Sequence, residues 1–171
     1  MQFVGIVLFS IAAAVFYGIA HDQVTARVCI EYFTIGHPPV FKTTSPTLLA
    51  LGWGVLATWW VGLPLGGCLA CAARLGTWPR LTVRDVVRPT LVLLLVMGMV
   101  AAFFGWRGLV RADAGEVKLP PALFSAVPPE KHAAFIADWF AHTASYAMGG
   151  LGGLSLCLWT LRKRRQAMKN K

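Results

Sequence analysis

The chain has 171 residues, of which 57% are hydrophobic and only 13% are charged, and its formal net charge is +9. Soluble domains carry about 25% charged residues, so this composition excludes an ordinary soluble protein and is typical of a protein with several membrane spans. The basic residues flank apolar runs, which argues against nucleic-acid binding and for contact with the lipid bilayer.

Four apolar runs predict four transmembrane helices. A helix needs about 20 predominantly apolar residues to cross a bilayer, and the chain has four such runs: residues 3–20, 47–73, 89–110 and 142–161. Short connections use up most of the remaining length. We therefore expect a single membrane domain over residues 1–171, folded as an all-α, four-helix bundle.

The first two runs carry signals at their ends and in their interior. No Lys or Arg precedes residues 3–20, whereas a secretory signal sequence begins with a positively charged region, so we interpret this run as a retained helix. Ser45 and Pro46 are typical of a helix start. Pro64 predicts a kink in the second run because it removes a backbone N–H, and the glycine pair Gly62–Gly66 permits close contact with another helix.

The fourth run predicts a helix that extends beyond the membrane. Its stretch Gly149–Gly153 is smooth enough for a neighbouring helix to approach closely. The helix is expected to begin near Pro129, because no helix breaker lies between Glu130 and His142. Loop 21–46 is too apolar for a flexible linker, and its pattern fits either a short strand or a helix face. These two segments predict a small ordered cap at one membrane surface.

The distribution of charge orients the predicted bundle. Loop 74–88 and the tail 162–171 hold ten basic residues and a single acidic one, Asp85, whereas six basic residues balance six acidic ones on the other side. Cytoplasmic segments carry an excess of Lys and Arg, so we expect both termini in the cytoplasm, loops 21–46 and 111–141 outside, and the cap on the extracytoplasmic face. We also expect a location in the bacterial inner membrane. The ten basic residues are Arg74, Arg80, Arg84, Arg88, Arg162, Lys163, Arg164, Arg165, Lys169 and Lys171.

A metal site on the outer face is the specific functional hypothesis. All four histidines and six of the seven acidic residues fall on that side, and imidazole with carboxylate suits zinc, copper, iron or manganese. The spacing of four puts Asp138 on the same helix face as His142. Tyr17 and Tyr146 could donate hydrogen bonds to a cofactor-bound oxygen species. The candidate ligands are His21, Glu31, His37, Asp138 and His142, with Asp22 and His132 in reserve.

The chemistry of such a site stays open between hydrolysis and redox reactions. Glu31 or Asp138 would be the candidate general base for a metal-bound water. Haem b held by His21 and His142 is the weaker cofactor alternative. The same side chains also fit a structural role in helix ends and wet loops, because no HExxH or other dense ligand motif is present in the sequence.

Other functions compete with metal binding. The Cys68-x-x-Cys71 pair is expected near the cytoplasmic end of the second span, a reducing environment, so we interpret both cysteines as small apolar helix residues. Seven tryptophans and glycine-rich faces also fit a non-catalytic accessory or assembly subunit of a larger membrane complex. A homo-oligomeric channel or transporter component is a further alternative, although charged groups are missing from the centres of the runs.

Overall fold

The computed structural model describes residues 1–169. Within these residues all regular structure is helical and no strand occurs, which confirms the all-α prediction. Lys171, counted above in the basic tail, lies outside the described residues. The helices are α1 (Gln2–Val28), α2 (Ile30–Thr34), α3 (Pro46–Leu56), α4 (Trp59–Arg74), α5 (Val83–Asp113), α6 (Pro121–Ala126) and α7 (His132–Lys169), and a 3-10 turn covers Pro129–Lys131.

Three segments are long and apolar enough to cross a membrane by length and composition. They are α1, the stretch Pro46–Arg74 that contains α3 and α4, and α5. Each contains one of the first three predicted spans. The fourth predicted span, residues 142–161, lies inside α7, whose composition as a whole is less apolar than that of the other three.

The second predicted span is interrupted, but not at the proline. Pro64 lies inside α4, and the helix is broken between α3 and α4 at Ala57 and Thr58. The hydroxyl of Thr58 donates to the carbonyl of Gly54, the group to which its own N–H would bond in a continuous helix. That N–H bonds to Val55 instead (3.3 Å). A threonine side chain that competes for a backbone carbonyl in this way locally disrupts the helical ladder.

The segments predicted to lie outside the membrane contain helices, which was one of the two alternatives for loop 21–46. After α1 a single extended residue, Cys29 (φ −147°, ψ 98°), turns the chain into the short helix α2. The helix α7 begins at His132 directly after the 3-10 turn that starts at Pro129, so the early start expected from the sequence is confirmed. Between these segments lies a small core of its own, formed by Cys29, Leu119, Val127, Phe135 and Ile136.

Glycines bring α4 against α1. A Cβ atom added at Gly62 would lie 2.8 Å from the Cα of Ile11, and one added at Gly66 would lie 2.6 Å from the Cβ of Ser10. Only residues without a side chain allow this separation. The close contact predicted from the Gly62–Gly66 spacing is therefore present. In α7, Gly152 and Gly153 instead receive leucine side chains of neighbouring helices.

Consecutive long helices run in opposite directions, so the bundle has two chemically different ends. At one end the side chain of Gln2 accepts from the N–H of Val83 (3.0 Å), and Lys163 pairs with Asp85 (3.2 Å). We call it the arginine end because Arg74 and Arg164 also lie there. The opposite end holds all four histidines and is called the histidine end. His132 begins α7 there, and His21, His37 and His142 lie close together.

Candidate metal centre at the histidine end

Two helices bring together two imidazoles and one carboxylate. His21 and Asp22 lie in the last part of α1, and His142 lies in α7. One potential ligand atom from each of the three residues falls within 4.8 Å of the other two. Nε2 of His142 and Oδ1 of Asp22 lie 3.3 Å apart, and both residues are buried.

The tautomer of His142 follows from its second hydrogen bond. Its Nδ1 lies 2.8 Å from the backbone carbonyl oxygen of Asp138. A carbonyl oxygen only accepts, so Nδ1 must carry the hydrogen, and Nε2 of the neutral ring then has a free lone pair. That lone pair faces a carboxylate oxygen of Asp22, which is also an acceptor. Two acceptors at 3.3 Å require a proton or a cation between them, and a ring held through Nδ1–H in this way is typical of metal-bound histidine.

His21 contributes a second ring nitrogen without a partner. Its Nε2 is buried and has no hydrogen bond to any residue in 1–169. The ring stacks on Tyr17 (5.7 Å between centroids, 16° between planes) and meets the His142 ring edge-on (4.5 Å, 78°). Buried polar atoms almost always find a partner, and one ring nitrogen of His21 belongs to the group of three ligand atoms, so this ring is available to bind an ion.

The spacing of the group suits one small ion. Bonds of about 2.0–2.2 Å in a tetrahedral zinc site hold neighbouring ligand atoms about 3.3 Å apart. Nε2 of His142 and Oδ1 of Asp22 already have that separation. His21 lies within the 4.8 Å limit, so a shift of at most roughly 1.5 Å brings it to bonding distance. The contact between the two histidine rings leaves no room for a porphyrin plane, so the haem alternative does not fit this geometry.

Two of the predicted ligands point elsewhere. The carboxylate of Glu31 accepts a hydrogen bond from the thiol of Cys29 (3.4 Å). His132 lies 2.9 Å from the carbonyl of Val127 through its Nε2 and packs against Phe124. The structure does not bring Glu31 or His132 into the three-residue group.

His37 lies near the group without belonging to it. Its Nδ1 is 2.8 Å from the carbonyl oxygen of Tyr32, to which it donates. Its ring packs against those of Tyr32 (5.0 Å), Phe33 (5.9 Å) and Trp53 (4.6 Å). Its remaining nitrogen therefore has a lone pair, and the side chain borders the same cavity as His142.

Asp138 supports the group through its backbone rather than its side chain. The residue is 2% exposed, and its Oδ2 has no hydrogen-bond partner among the described residues. Burial raises the pKa of the Asp138 carboxyl to about 9, and the nearby Asp22 carboxylate adds to the rise, while the Cys29 N–H acts in the opposite direction. Without a cation beside it, this carboxyl is protonated at neutral pH and can donate a proton rather than accept one.

The two predicted tyrosines differ in their surroundings. The hydroxyl of Tyr17 shares a hydrogen bond of 2.8 Å with the hydroxyl of Ser145, which joins α1 to α7 just below the group. Tyr146 is half exposed and borders the cavity. Ser145 was not among the sequence candidates, although its position three residues after His142 on the same helix was the signal that could have identified it.

The donor set of the centre is two imidazole nitrogens and one carboxylate oxygen. Such sets occur in catalytic zinc sites and in non-haem iron(II) sites, where three protein ligands leave at least one position for water or substrate.

Comparison with protein-family models, with curated proteins and with solved structures found no match to this chain.

Proposed function

We propose that the protein spans a membrane four times and binds one divalent transition-metal ion, zinc or iron(II), through His21, Asp22 and His142. The observation that carries this proposal is the contact between Nε2 of His142 and Oδ1 of Asp22 at 3.3 Å. The other ring nitrogen of His142 is committed to a backbone carbonyl, so this contact joins two acceptors. A proton would satisfy this contact alone, whereas a bound cation would satisfy it and use the ring of His21 as well.

The surface of α7 supports a fourth span. Leu151, Leu154 and Leu158 are each more than half exposed, and they recur every three to four residues, so they form one apolar stripe along the helix. An exposed stripe of this kind is expected where a helix faces lipid. In the proposed topology α7 crosses the bilayer over residues 142–161, beside the three more apolar segments.

The charges support an orientation with the metal outside the cytoplasm. Arg74, Arg80 and Arg84 lie in or beside the connection between α4 and α5, and Arg164 lies at the same end of α7. The excess of arginine directs this end to the cytoplasm by the positive-inside rule. The histidine end then lies at the extracytoplasmic surface of the bacterial inner membrane.

The open coordination position defines what the centre could do. Three protein ligands leave room for a water molecule or a substrate oxygen. A zinc ion at this position would activate such a water for hydrolysis, and an iron(II) ion would support redox chemistry. The chain itself supplies the hydroxyls of Ser145 and of Tyr17, whose ring stacks on His21, and either hydroxyl would be able to hold a bound oxygen atom by a hydrogen bond.

Metal analysis of the purified protein tests the proposal. We expect detergent-purified protein, reconstituted with zinc or iron(II) and then desalted, to retain about one equivalent of metal per chain. His142→Ala and His21→Ala should each reduce the metal content at least tenfold, because each removes one of three ligands. His132→Ala is the matched control, because that ring bonds to Val127 and lies outside the group.

Two results would overturn the proposal. One is a metal content near zero in the unmutated chain after reconstitution with either ion. The other is equal metal retention in His142→Ala and His132→Ala. Thermal unfolding of each variant in the same detergent separates loss of the site from loss of the fold.

A further inference from the structure

A cavity of about 140 Å³ extends from the metal centre into the bundle. Its lining on α1 runs from Asp22 back to Ser10, and its lining on α7 runs from His142 to Leu156. At 1.5 Å per helical residue these stretches are about 18 and 21 Å long. The cavity is therefore elongated and narrow for its volume.

The cavity is polar at one end only. His21, Asp22, His142, Tyr17 and Ser145 border it at the histidine end. Further in, the lining consists mostly of aliphatic side chains and small residues. The deep aliphatic residues are Leu65, Leu69, Leu93, Leu94, Met97 and Leu156.

The two hydroxyls near the deep end are already satisfied. Ser10 donates to the carbonyl of Ile6 (2.9 Å), and Thr90 donates to the carbonyl of Val86 (2.8 Å). Each hydroxyl therefore directs its hydrogen back to its own helix. The deep part presents no free donor, and a water molecule there would lack the two to four polar partners that stabilise buried water.

Volume and shape restrict the occupant. An engineered apolar cavity of about 150 Å³ stays dry and accepts a hydrocarbon. The cavity of that size holds benzene, so a similar volume spread over about 20 Å of helix length admits about six to eight carbons of a single linear chain but not a fused ring system. The occupant must also be polar at the end that reaches the histidine end, because burying unpaired polar groups there would be costly.

We infer that the protein binds a single-chain amphiphile of about six to eight carbons, whose hydrocarbon chain fills this cavity and whose oxyanionic head group, a carboxylate or a phosphate, lies at His21, Asp22 and His142. The position of the head group rests on the proposed function, because a metal ion with an open position would bind an oxyanion. The position of the chain rests on the cavity alone. The substrate or ligand class of the centre is therefore an amphiphile taken from the membrane.

Two adjacent glycines give a matched pair of variants. Gly149 borders the cavity, and a Cβ there would lie 3.3 Å from Cε of Met97, the flexible end of a side chain. Gly150 does not border the cavity, and no described atom lies within 4 Å of a Cβ placed there. Gly149→Leu therefore fills the cavity, whereas Gly150→Leu adds the same side chain outside it. Leu94→Phe and its exposed neighbour Leu95→Phe form a second pair on α5.

The test is photolabelling of the full-length protein in detergent with an octanoate analogue that carries a diazirine in its chain. We expect adducts on cavity residues such as Leu94 and Leu156, which excess unlabelled octanoate or octyl phosphate removes. The stronger of the two competitors identifies the head group as carboxylate or phosphate. Gly149→Leu and Leu94→Phe should lower cavity labelling at least tenfold, and Gly150→Leu and Leu95→Phe should leave it unchanged.

The outcomes separate this inference from the metal site. Labelling confined to lipid-facing residues, or cavity labelling that Gly149→Leu and Leu94→Phe leave intact, would overturn the lipid inference, as would failure of both competitors. Metal content is measured on the same samples. Chain labelling without bound metal would contradict the proposed function and leave the chain site standing. Bound metal without chain labelling would contradict the lipid inference and leave the metal site standing.

Discussion

The guanidinium of Arg164 donates a hydrogen bond of 2.8 Å to the carbonyl of Leu75, the residue directly after the end of α4. It also donates to the carbonyls of Ala72, Trp78 (3.0 Å) and Pro79 (2.8 Å). Arg164 is 1% exposed, and its recorded partners are all backbone carbonyls. A positive charge at a helix C-terminus is favourable, so one side chain of α7 holds the last turn of α4 and the following loop.

Loss of these hydrogen bonds from Arg164 should destabilise the protein. We expect Arg164→Met to lower the free energy of unfolding by about 3 kcal/mol or more, because several carbonyls lose their donor at once. Arg164→Lys should recover only part of the loss, since an ammonium cannot reproduce the planar fork of donors. Arg165→Met is the control, because Arg165 is exposed and surface changes stay within about 0.5 kcal/mol. Reversible unfolding in mixed micelles measures the difference, and equal stability of the two Met variants would contradict the role of Arg164.

The two aspartates near the metal centre should respond differently to the same substitution. Asp22→Asn replaces a carboxylate ligand by an amide, so we expect metal affinity to fall at least tenfold. Asp138→Asn should leave metal affinity unchanged, because His142 bonds to the backbone carbonyl of residue 138 and not to its side chain. Competition with a chelator measures both affinities. A loss of metal in Asp138→Asn alone would show that the carboxyl of Asp138 is a ligand, as the sequence predicts, and that Asp22 is not.

Cys29 provides a prediction that depends on pH. Burial raises the pKa of the Cys29 thiol to about 12, so the thiolate is a minor form throughout the neutral range, and only the thiolate reacts with maleimides. In a variant that retains only this cysteine, we expect labelling at pH 7.5 to be about a thousandfold slower than in denaturant, where the pKa returns to about 8.5. The rate should rise about tenfold per pH unit while the protein stays folded. Equal labelling rates in the folded and denatured states would show that Cys29 is not buried.

Hydropathy predicts how deep in the membrane a residue lies, but not which side of its helix the residue is on. Because apolar runs set where each helix leaves the membrane, the sequence placed His21 and His142 at one depth, and the structure brings them together. The rotation of a helix that is apolar on most of its surface leaves little trace in its sequence. Asp22, a reserve candidate, therefore contacts His142, whereas the carboxyl of Asp138 does not join the group.

Competition between a side chain and the backbone explains the break in the second predicted span. The sequence predicts a kink at Pro64, through which α4 continues, and it gives no signal for the break between α3 and α4. The break occurs where the hydroxyl of Thr58 takes the carbonyl of Gly54. Threonine is common in helices without this effect, so the sequence alone does not distinguish a threonine that breaks the ladder from one that does not.

The packing of α1 against α4 can be tested with two glycines of the same helix. A Cβ at Gly62 would lie 2.8 Å from Cα of Ile11 and 2.9 Å from the carbonyl oxygen of Ser10, both backbone atoms that cannot rotate away. We therefore expect Gly62→Ala to lower the free energy of unfolding by about 1–3 kcal/mol.

Gly67→Ala should have the opposite effect. No described atom lies within 4 Å of a Cβ at this position, and alanine is favoured over glycine in a helix by about 0.5–1 kcal/mol. Both variants change the same residue type inside α4, so differences in helix propensity cancel when they are compared in the same unfolding assay. A Gly62→Ala variant as stable as Gly67→Ala would mean that α1 and α4 do not meet at Gly62. The cavity, which is bordered by the same two helices, would then have a different shape.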